Sequence, residues 1–570
     1  MLPTFSGNMQ LDSKLFLLAC SALLGMVMGG IFFPSWHHAI ESAQSVAGLI
    51  DYDQGNPFYI YHRNTWSSLH QILALALAMG FDERSLAFAL SGLIGGLSYW
   101  TISYLALNLG LSTLSVVLIP VVVHLGRLND FGPLYPVWIM GSYSSYGIIG
   151  LMLSLAAINL VVDRHLFAGG CLLAVSFSVH PLLAAFTVIT LLSAAWLSRS
   201  QRTIVIDREL ATGFLVGAMV TSASFAAFLY MKVHVAVDPY QQKLILEKFT
   251  NYWGGHHTKL PLLSTGVALC AIASLFPFIG LRLRNNPLII VLAVSAGLGL
   301  LLGLLSWLPP FLLPDLFEST LPVRFVSFGI LFASVAMLTM LFDNNPVLGL
   351  VYSAATLWYW RNLHVLDSDA SLKLIHVLVL LFLISFKIKS GVRKFISFAC
   401  ALMIGAVIVQ LVIFKDSPTY RLAYRFPINN FLLEMKDRTN DEFWSKVSSD
   451  GGLLLYSGMD CIQLITRRPV LMASAINQIS YVPETGPVIN DIMKSVDKLD
   501  ITNPPDSPFT KTGTLDVRLF IRTWCDRPLE EWKAIGRKYH LTNLLFWDGC
   551  KLDLPIEQKY NSFIYYKFPG

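Results

Sequence analysis

The residues best suited to chemistry lie in one polar stretch, Pro34 to His70, which separates two apolar runs. Its titratable side chains are His37, His38, Glu41, Asp51, Asp53, His62, Arg63 and His70. A carboxylate can accept the proton of an attacking hydroxyl, and neighbouring cations can stabilise a departing anion. A titratable cluster held at a membrane surface therefore makes this stretch the first candidate for a functional site.

Three acidic residues of the stretch are candidate catalytic bases: Glu41, Asp51 and Asp53. If residues 36–50 form an interfacial helix, Glu41 falls one turn after His37 and His38 and shares a face with them. The structural alternative is that these carboxylates are solvated surface groups, which is the commoner fate of acidic residues in loops.

Cations and histidines of the polar stretch and of later segments are candidates for binding an anionic substrate. The full set is His37, His38, Arg63, His180, His256, His257, Lys259 and Arg324. Each has a structural alternative: membrane-interface anchoring for His37 and His38, a helix kink at His180-Pro181, a plain interfacial loop around His256, and snorkelling for Arg324.

The elements that must position these residues are membrane helices. The 570 residues are 54% hydrophobic and only 14% charged, with a mean hydropathy of +0.58. Apolar runs of membrane length recur, so the sequence predicts a polytopic α-helical membrane protein with about 11–14 transmembrane helices. The predicted spans are 14–33, 69–80, 86–107, 111–126, 143–162, 166–197, 210–231, 261–281, 287–308, 322–342, 346–361, 372–389 and 395–414.

Basic connectors set the predicted orientation. Arg199 to Arg208, Arg282 to Arg284 and Lys387 to Lys394 are expected in the cytoplasm, together with the amino terminus. Residues 34–68 and everything after about 415 are then extracytoplasmic, and we expect a bacterial inner membrane as the location. His180-Pro181 interrupts segment 166–197 and predicts a broken helix there.

The chemistry of the chain changes after residue 415, so we predict two units: a transmembrane unit over 1–415 and an extracytoplasmic α/β domain over 416–570. Strands are predicted at Gly452 to Tyr456, Pro469 to Ala473, Leu544 to Trp547 and Phe563 to Phe568, and a helix at Asp526 to Tyr539 with Asp526 as its cap. Cys461, Cys525 and Cys550 lie in this domain, and we expect Cys525 to pair with Cys550.

This order of features resembles the GT-C class of integral membrane glycosyltransferases over roughly residues 10–415. The resemblance implies a polyprenyl-phosphate-linked sugar donor and a catalytic acid early in the first external loop, matched here by Glu41, Asp51 and Asp53. It also implies a second acidic motif, matched by Arg127-Leu128-Asn129-Asp130, which makes Asp130 a candidate. The start of the loop has no Asp-Asp, Asp-Glu or Asp-x-Asp pair; Asp51-Tyr52-Asp53 has the last spacing, further along.

Two function classes follow. The first is a transferase acting on membrane lipid, with a glycan, lipid or protein as the acceptor. The second is a transporter, flippase or polysaccharide-assembly component without transferase chemistry. Ion-coupled transporters carry charges at the centres of their spans, which are scarce here, so the transferase is favoured. The charge pattern predicts no nucleic-acid partner, and we expect no cofactor; a divalent metal is compatible with the loop, but no residue spacing supports one.

Overall fold

A computed structural model of the full chain provides the fold. It describes residues 7–111, 114–128, 139–140, 145–199, 204, 206–249, 260, 262, 264–279, 286–308, 312, 322–361, 379, 435–456, 461–471, 478–503, 522–547, 549–561 and 563–569. Four candidate residues lie outside these ranges: Asp130, His256, His257 and Lys259. The predicted span 395–414, nearly all of 372–389 and the predicted boundary at 415/416 lie outside them too.

The part of the chain before residue 362 is helical wherever regular structure is described. Its helices are α1 (Gly7–Val27), α2 (His38–Val46), α3 (Pro57–Asn64), α4 (Ser68–Ala78), α5 (Glu83–Asn108), α6 (Ser115–Leu125), α7 (Ser145–Val162), α8 (Leu166–Ser176), α9 (Pro181–Leu197), α10 (Arg208–Met231), α11 (Pro239–Lys248), α12 (Thr265–Ser274), α13 (Phe276–Ile279), α14 (Pro287–Leu305), α15 (Val326–Asn344) and α16 (Pro346–Arg361).

Five helical segments of the described chain are long and apolar enough to cross a membrane: Ser13–Phe32, Glu83–Asn108, Arg208–Met231, Pro287–Leu305 and Pro322–Asn344. Several other predicted spans are shorter apolar helices of 10–17 residues. At about 1.5 Å per residue, such helices are about 15–26 Å long, less than the ~30 Å of a hydrocarbon core. The structure therefore supports a membrane protein with several spans, and the predicted total of 11–14 stays a prediction.

Polar contacts identify the two ends of the helical bundle. At one end, Glu83 at the start of α5 pairs with Arg467 of the C-terminal domain at 2.5 Å; we call this the domain end. At the opposite end, the side chain of Asn286 donates a hydrogen bond of 2.9 Å to the backbone oxygen of Asn108. Helices α5 and α14 therefore run in opposite directions.

Helix α4 differs from the span predicted at 69–80. It has 11 residues, and α5 starts at the domain end only a few residues after α4 stops. Its side chains Ile72 and Leu75 are exposed, as is Met79 directly after it, whereas Leu73 and Leu77 are buried. Helix α4 is therefore a short apolar helix at the domain end with one face against the protein.

The predicted break at His180-Pro181 is confirmed. Helix α8 ends at Ser176, and Pro181 occupies the first turn of α9, where a missing N–H costs nothing. The backbone N–H of Ser68 donates to the oxygen of Ser178 at 2.8 Å. The turn between α8 and α9 thus lies beside the polar stretch.

Helix α1 and the π-helical segment Met28–Phe32 that continues it pack backbone to backbone against α5 through small residues. A Cβ atom added to Gly25 would collide with the backbone oxygen of Gly95, and one added to Gly29 would collide with that of Ser91. Small residues allow this approach in membrane helices. It brings Ser91 next to the start of the polar stretch, where its hydroxyl contacts the backbone N–H of Ser35 at 3.1 Å.

The C-terminal domain is a mixed α/β unit. Its elements are α17 (Glu442–Ser449), β1 (Leu453–Tyr456), α18 (Ile462–Thr466), β2 (Val470–Leu471), α19 (Gln478–Tyr481), α20 (Gly486–Ile492), α21 (Leu529–Tyr539), β3 (Leu541–Trp547), β4 (Ile556–Tyr560) and β5 (Phe563–Lys567). The strand order is β2-β1-β3-β5-β4; β1 is parallel to β2 and β3, and β5 is antiparallel to β3 and β4. Alternate residues give each face its own core: Leu454 and Leu545 join the core that continues into the bundle, whereas Leu455 and Leu544 join a second core with α21.

Most of the strands and helices predicted from the sequence of this domain are confirmed. All four predicted strands are present, and β4 is a further strand that the sequence analysis missed. The predicted helix begins at Leu529, not after Asp526, and the backbone N–H of Leu529 is bound by Asp553 at 2.9 Å. Cys525 and Cys550 form a disulfide with their Cα atoms 6.0 Å apart, as predicted.

Candidate functional site

The polar stretch folds into α2 and α3 beneath the C-terminal domain. Helix α3 begins at Pro57, and the side chain of Asn56 caps it by accepting from the backbone N–H of Phe58 at 2.8 Å. Every residue of α2 from Ala39 to Ser45 is buried. A segment rich in polar groups therefore lies in the interior of the protein rather than in solvent.

Three ligand-type side chains converge where α2 meets the domain. The Nδ1 atom of His38 lies 2.8 Å from Oε2 of Glu41 and 3.9 Å from Sγ of Cys461. The three ligand atoms lie within 4.8 Å of one another. Glu41 is 3% exposed and Cys461 is 1% exposed, whereas the side chain of His38 is 31% exposed. This cluster, His38 with Glu41 and Cys461, is buried but keeps one accessible side.

The backbone of Cys461 has an unusual conformation. Its φ angle is +60°, in the left-handed region, and Arg467 at the other end of α18 has a φ of +53°. Residues other than glycine, asparagine and aspartate are uncommon there, and such conformations concentrate at functional sites. The five-residue helix α18 is thus delimited on both sides by left-handed residues.

Gln463 joins the domain to the polar stretch. Its amide nitrogen donates to the backbone oxygen of Glu41 at 2.8 Å, and its amide oxygen accepts from the hydroxyl of Tyr52 at 2.5 Å. All three residues are buried. Because buried polar groups are costly unless they are paired, this network fixes α2 against α18.

A second polar chain leads from α2 to a cleft. The hydroxyl of Ser42 and Nδ1 of His62 are 2.9 Å apart, and Nε2 of His70 is 2.5 Å from the hydroxyl of Tyr146. His62 and His70 line a small cleft that is partly open to its surroundings. Its complete lining is Val46, His62, Arg63, Thr65, Ser67, His70, Gln71, Phe228 and Met231.

The cleft contains polar atoms that no described protein group satisfies. Buried Nε2 of His62, Nε of Arg63 and Oγ1 of Thr65 have no hydrogen-bond partner among the described residues. Buried polar groups are normally bonded, so unpaired ones need a reason, such as a bound ligand or water. On its apolar side the cleft reaches Phe228 and Met231 at the end of α10.

Burial and neighbouring charges perturb the pKa values of the histidines in the polar stretch. Burial lowers the pKa of His37 to about 3, and the charge of His38 acts in the same direction. Burial also lowers the pKa of His62 well below its usual value, aided by His70 and His38, while Gln463 acts in the opposite direction. His62 is therefore a neutral imidazole near pH 7, able to donate at one nitrogen and accept at the other.

His38 behaves differently from these two histidines. Burial opposes its protonation, but contacts with Cys461 and Glu41 outweigh burial and raise the pKa of His38 well above its usual value. An imidazolium in this place would lie between two groups that can carry negative charge. The cluster therefore attracts positive charge.

A different carboxylate holds the domain in place. Glu83 accepts from Nη2 of Arg438 at 3.1 Å, from Nε of Arg467 at 2.5 Å and from the amide of Gln44 at 3.0 Å. It is 1% exposed. A buried carboxylate with two guanidinium partners is neutralised and suits a structural role.

The structure brings together some of the predicted site residues and separates others. Glu41 and His38 form the cluster, and Arg63 lines the cleft. His37 turns away, with its Nε2 atom 2.9 Å from the hydroxyl of Ser91. His180 lies close enough to Arg324 for the two side chains to interact electrostatically.

Two predicted bases lie outside this arrangement. Asp51 and Asp53 are exposed, and Asp53 accepts from the backbone N–H of Gly55 in a turn, 3.1 Å away. Arg324 lies at the domain end, 3.5 Å from the hydroxyl of Tyr481. Asp130, His256, His257 and Lys259 are outside the described residues, so their roles stay predictions.

Sequence reasoning did not select Ser42 within the polar stretch, and it missed the members contributed by distant segments: Cys461, Gln463 and Tyr146. Cys461 and His38 are 423 residues apart, so no local spacing links them. The sequence did contain one indication for Cys461. Of the three cysteines after residue 415, two form the Cys525–Cys550 disulfide, which leaves Cys461 as a thiol.

No known protein-family model matches the chain, and no curated protein is significantly similar to it. What the protein does must therefore be inferred from its own residues and their geometry.

Proposed function

We propose that this protein is an integral membrane glycosyltransferase of the GT-C type, which transfers a sugar from a polyprenyl-phosphate donor to an extracytoplasmic glycan, lipid or protein. The observation that carries the proposal is the position of Glu41. Of the three acidic residues in the polar stretch, it alone is buried, and the next residue, Ser42, contacts His62 in the wall of the cleft.

The proposed reaction uses Glu41 as its base. The acceptor hydroxyl gives its proton to the Glu41 carboxylate while its oxygen bonds to the anomeric carbon of the sugar. The bond from that carbon to the phosphate oxygen breaks, and the lipid phosphate leaves with the electron pair. Arg63, in the cleft wall, stabilises the negative charge that develops on the phosphate. His62, neutral and with an unpaired nitrogen, can bind a sugar hydroxyl.

The prenyl chain requires an apolar path next to the cleft, and α10 supplies one. This helix is a candidate membrane span of which only 6% is buried. It packs on α8 through Gly213 and Gly217 and leaves Leu215, Met219 and Leu229 exposed. Its last residues line the cleft, so a lipid chain lying along α10 would bring its phosphate to Arg63.

The disulfide supports an extracytoplasmic position for the domain end. Disulfides persist in oxidising compartments and are rare in the cytoplasm. The Cys525–Cys550 bond lies in the domain that covers the polar stretch. The basic connectors predicted to be cytoplasmic give the same orientation.

The test uses the full-length protein in lipid nanodiscs with labelled polyprenyl-phosphate sugars and a panel of acceptors. We expect Glu41→Gln to lower the transfer rate by about 10²–10⁴-fold, because loss of a general base costs that much. Arg63→Gln should also lower the rate, since the leaving phosphate loses its cation.

The matched control is Asp51→Asn, a carboxylate-to-amide change in the same stretch but at an exposed position. We expect it to retain wild-type transfer. Equal rates for Glu41→Gln and the wild type would refute Glu41 as the base. Movement of the intact labelled lipid across the bilayer, without sugar transfer to any acceptor, would favour a transporter instead.

A further inference from the structure

We propose that His38, Glu41 and Cys461 bind a zinc ion where the polar stretch meets the C-terminal domain. The inference rests on the arrangement of these ligand atoms and does not depend on sugar transfer. It concerns a site that neither half of the protein contains alone, because two ligands come from α2 and the third precedes α18.

The distances between the ligand atoms fit a common metal ion. Zinc bonds of about 2.0–2.1 Å to nitrogen or oxygen and about 2.3 Å to sulfur, in tetrahedral geometry, place nitrogen about 3.3 Å from oxygen and about 3.6 Å from sulfur. The observed separations are 2.8 Å from His38 Nδ1 to Glu41 Oε2 and 3.9 Å to Cys461 Sγ. Shifts of about half an ångström at each ligand, within the reach of side-chain torsions, would complete the coordination.

The types of donor atom select zinc over the common hard cations. Magnesium and calcium prefer oxygen ligands and bind thiolates poorly, whereas zinc accepts imidazole nitrogen, carboxylate oxygen and thiolate sulfur. Structural zinc sites usually have four protein ligands, and catalytic sites have three with one open position. Among the described residues the site has three ligands of mixed type, the number found in catalytic sites, where the remaining position binds water or substrate.

The protein holds the three ligands in place before a metal binds. His38 and Glu41 are three residues apart on α2, so they point in the same direction. The left-handed backbone of Cys461 also fixes its side chain, because such conformations persist where the surrounding structure enforces them. Gln463 then fixes α18 against α2 through its hydrogen bond to the backbone of Glu41.

The site has an entry path and a suitable charge. The side chain of His38 is partly exposed, while Glu41 and Cys461 are buried behind it. A carboxylate and a thiolate supply two negative charges, which a divalent cation neutralises. If one oxygen of Glu41 binds the metal, the second remains able to accept a proton, so the site is compatible with the proposed transfer reaction.

The test measures metal directly. The full-length protein is purified from cells grown with added zinc, freed of loosely bound metal, and analysed for zinc per chain. We expect about one zinc per chain in the wild type and less than about a tenth of that in Cys461→Ser and in His38→Gln. Replacement of zinc by cobalt should give a thiolate-to-cobalt charge-transfer band that Cys461→Ser lacks.

The matched control is Cys270→Ser, which changes a buried cysteine of α12 outside the cluster and should retain the zinc. Elution as a monodisperse protein with an intact Cys525–Cys550 disulfide verifies that each variant is folded. Wild-type protein without zinc and without the cobalt band overturns the proposal, and so does zinc retained in both cluster variants.

The same variants distinguish this proposal from the proposed function. If Cys461→Ser loses zinc but transfers sugar at the wild-type rate, the metal site is real and Glu41 acts as base without it. If the wild type binds zinc but no donor supports transfer, the zinc site stands and the transferase proposal fails.

Discussion

Two buried carboxylates lie on the same contact between the helices and the C-terminal domain, yet their surroundings differ. Glu83 has two arginines and an amide as partners. Glu41 has a histidine and lies near a cysteine. Arginine stays charged at every pH that proteins tolerate, so the Glu83 carboxylate is permanently paired. The partners of Glu41 can lose or gain protons, and such groups perform acid–base chemistry or bind metals.

A third buried carboxylate extends the comparison. Asp497 in the C-terminal domain accepts from the indole N–H of Trp524 at 2.9 Å, and its other oxygen has no hydrogen-bond partner among the described residues. Burial raises the pKa of Asp497 to about 8, although Trp524 and the charge of Arg527 act in the opposite direction. Glu83, Glu41 and Asp497 are all buried, so the differences between them come from their hydrogen-bond and charge partners rather than from burial alone.

The largest effect on stability is expected at Glu83. Glu83→Gln leaves Arg438 and Arg467 without their anion, and removal of one partner of a buried ion pair costs about 3 kcal/mol or more. We expect a loss of about that size in the free energy of unfolding, followed by tryptophan fluorescence in denaturant. Glu41→Gln should change it far less, because no arginine is left unpaired there.

The control for Glu83 is Glu530→Gln. Glu530 pairs with Lys533 at 2.8 Å on the surface of the same domain, so its substitution should leave the unfolding midpoint unchanged. If Glu41→Gln and Glu83→Gln destabilise the protein equally, the distinction between a structural and a chemical carboxylate is wrong.

A smaller, pH-dependent effect is expected at Asp497. The unfolded chain releases this proton near pH 3.8, whereas the folded domain keeps it up to about pH 8. The stabilisation is therefore complete below the lower value and is lost as the pH rises towards the higher one, at about 1.4 kcal/mol per pH unit.

Between pH 6 and pH 7.5 this difference amounts to about 2 kcal/mol. Asp497→Asn cannot ionise, so its denaturation midpoint should vary less with pH than that of the wild type over this range. Parallel pH profiles for the two proteins would contradict the assignment.

The smallest effect is expected at Asp53. Its carboxylate is exposed and bonds only locally, within a turn. Asp53→Asn should change stability by less than about 0.5 kcal/mol and leave sugar transfer unaltered. If Asp53→Asn lowered the transfer rate as much as Glu41→Gln, Asp53 would again be a candidate for the catalytic base.

Local patterns determined much of the architecture. Long apolar runs predicted helices, Pro181 predicted the break between α8 and α9, and short apolar segments predicted four of the five strands in the described domain. These features depend on neighbours in the sequence, so they can be read from it. Strand β4 was not predicted because its residues Glu557, Gln558 and Lys559 are polar, which is common in a strand at the edge of a sheet.

The sequence by itself also identified the polar stretch as the candidate site, because a run of titratable residues between apolar segments can be read directly from the sequence. Only the tertiary structure decided which of its acids is buried: Glu41 lies under the domain, whereas Asp51 and Asp53 face solvent. It alone brought Cys461 to His38 across more than four hundred residues. The physical reason is that burial and ligand geometry arise from contacts between distant segments, and no local periodicity encodes which segments will meet.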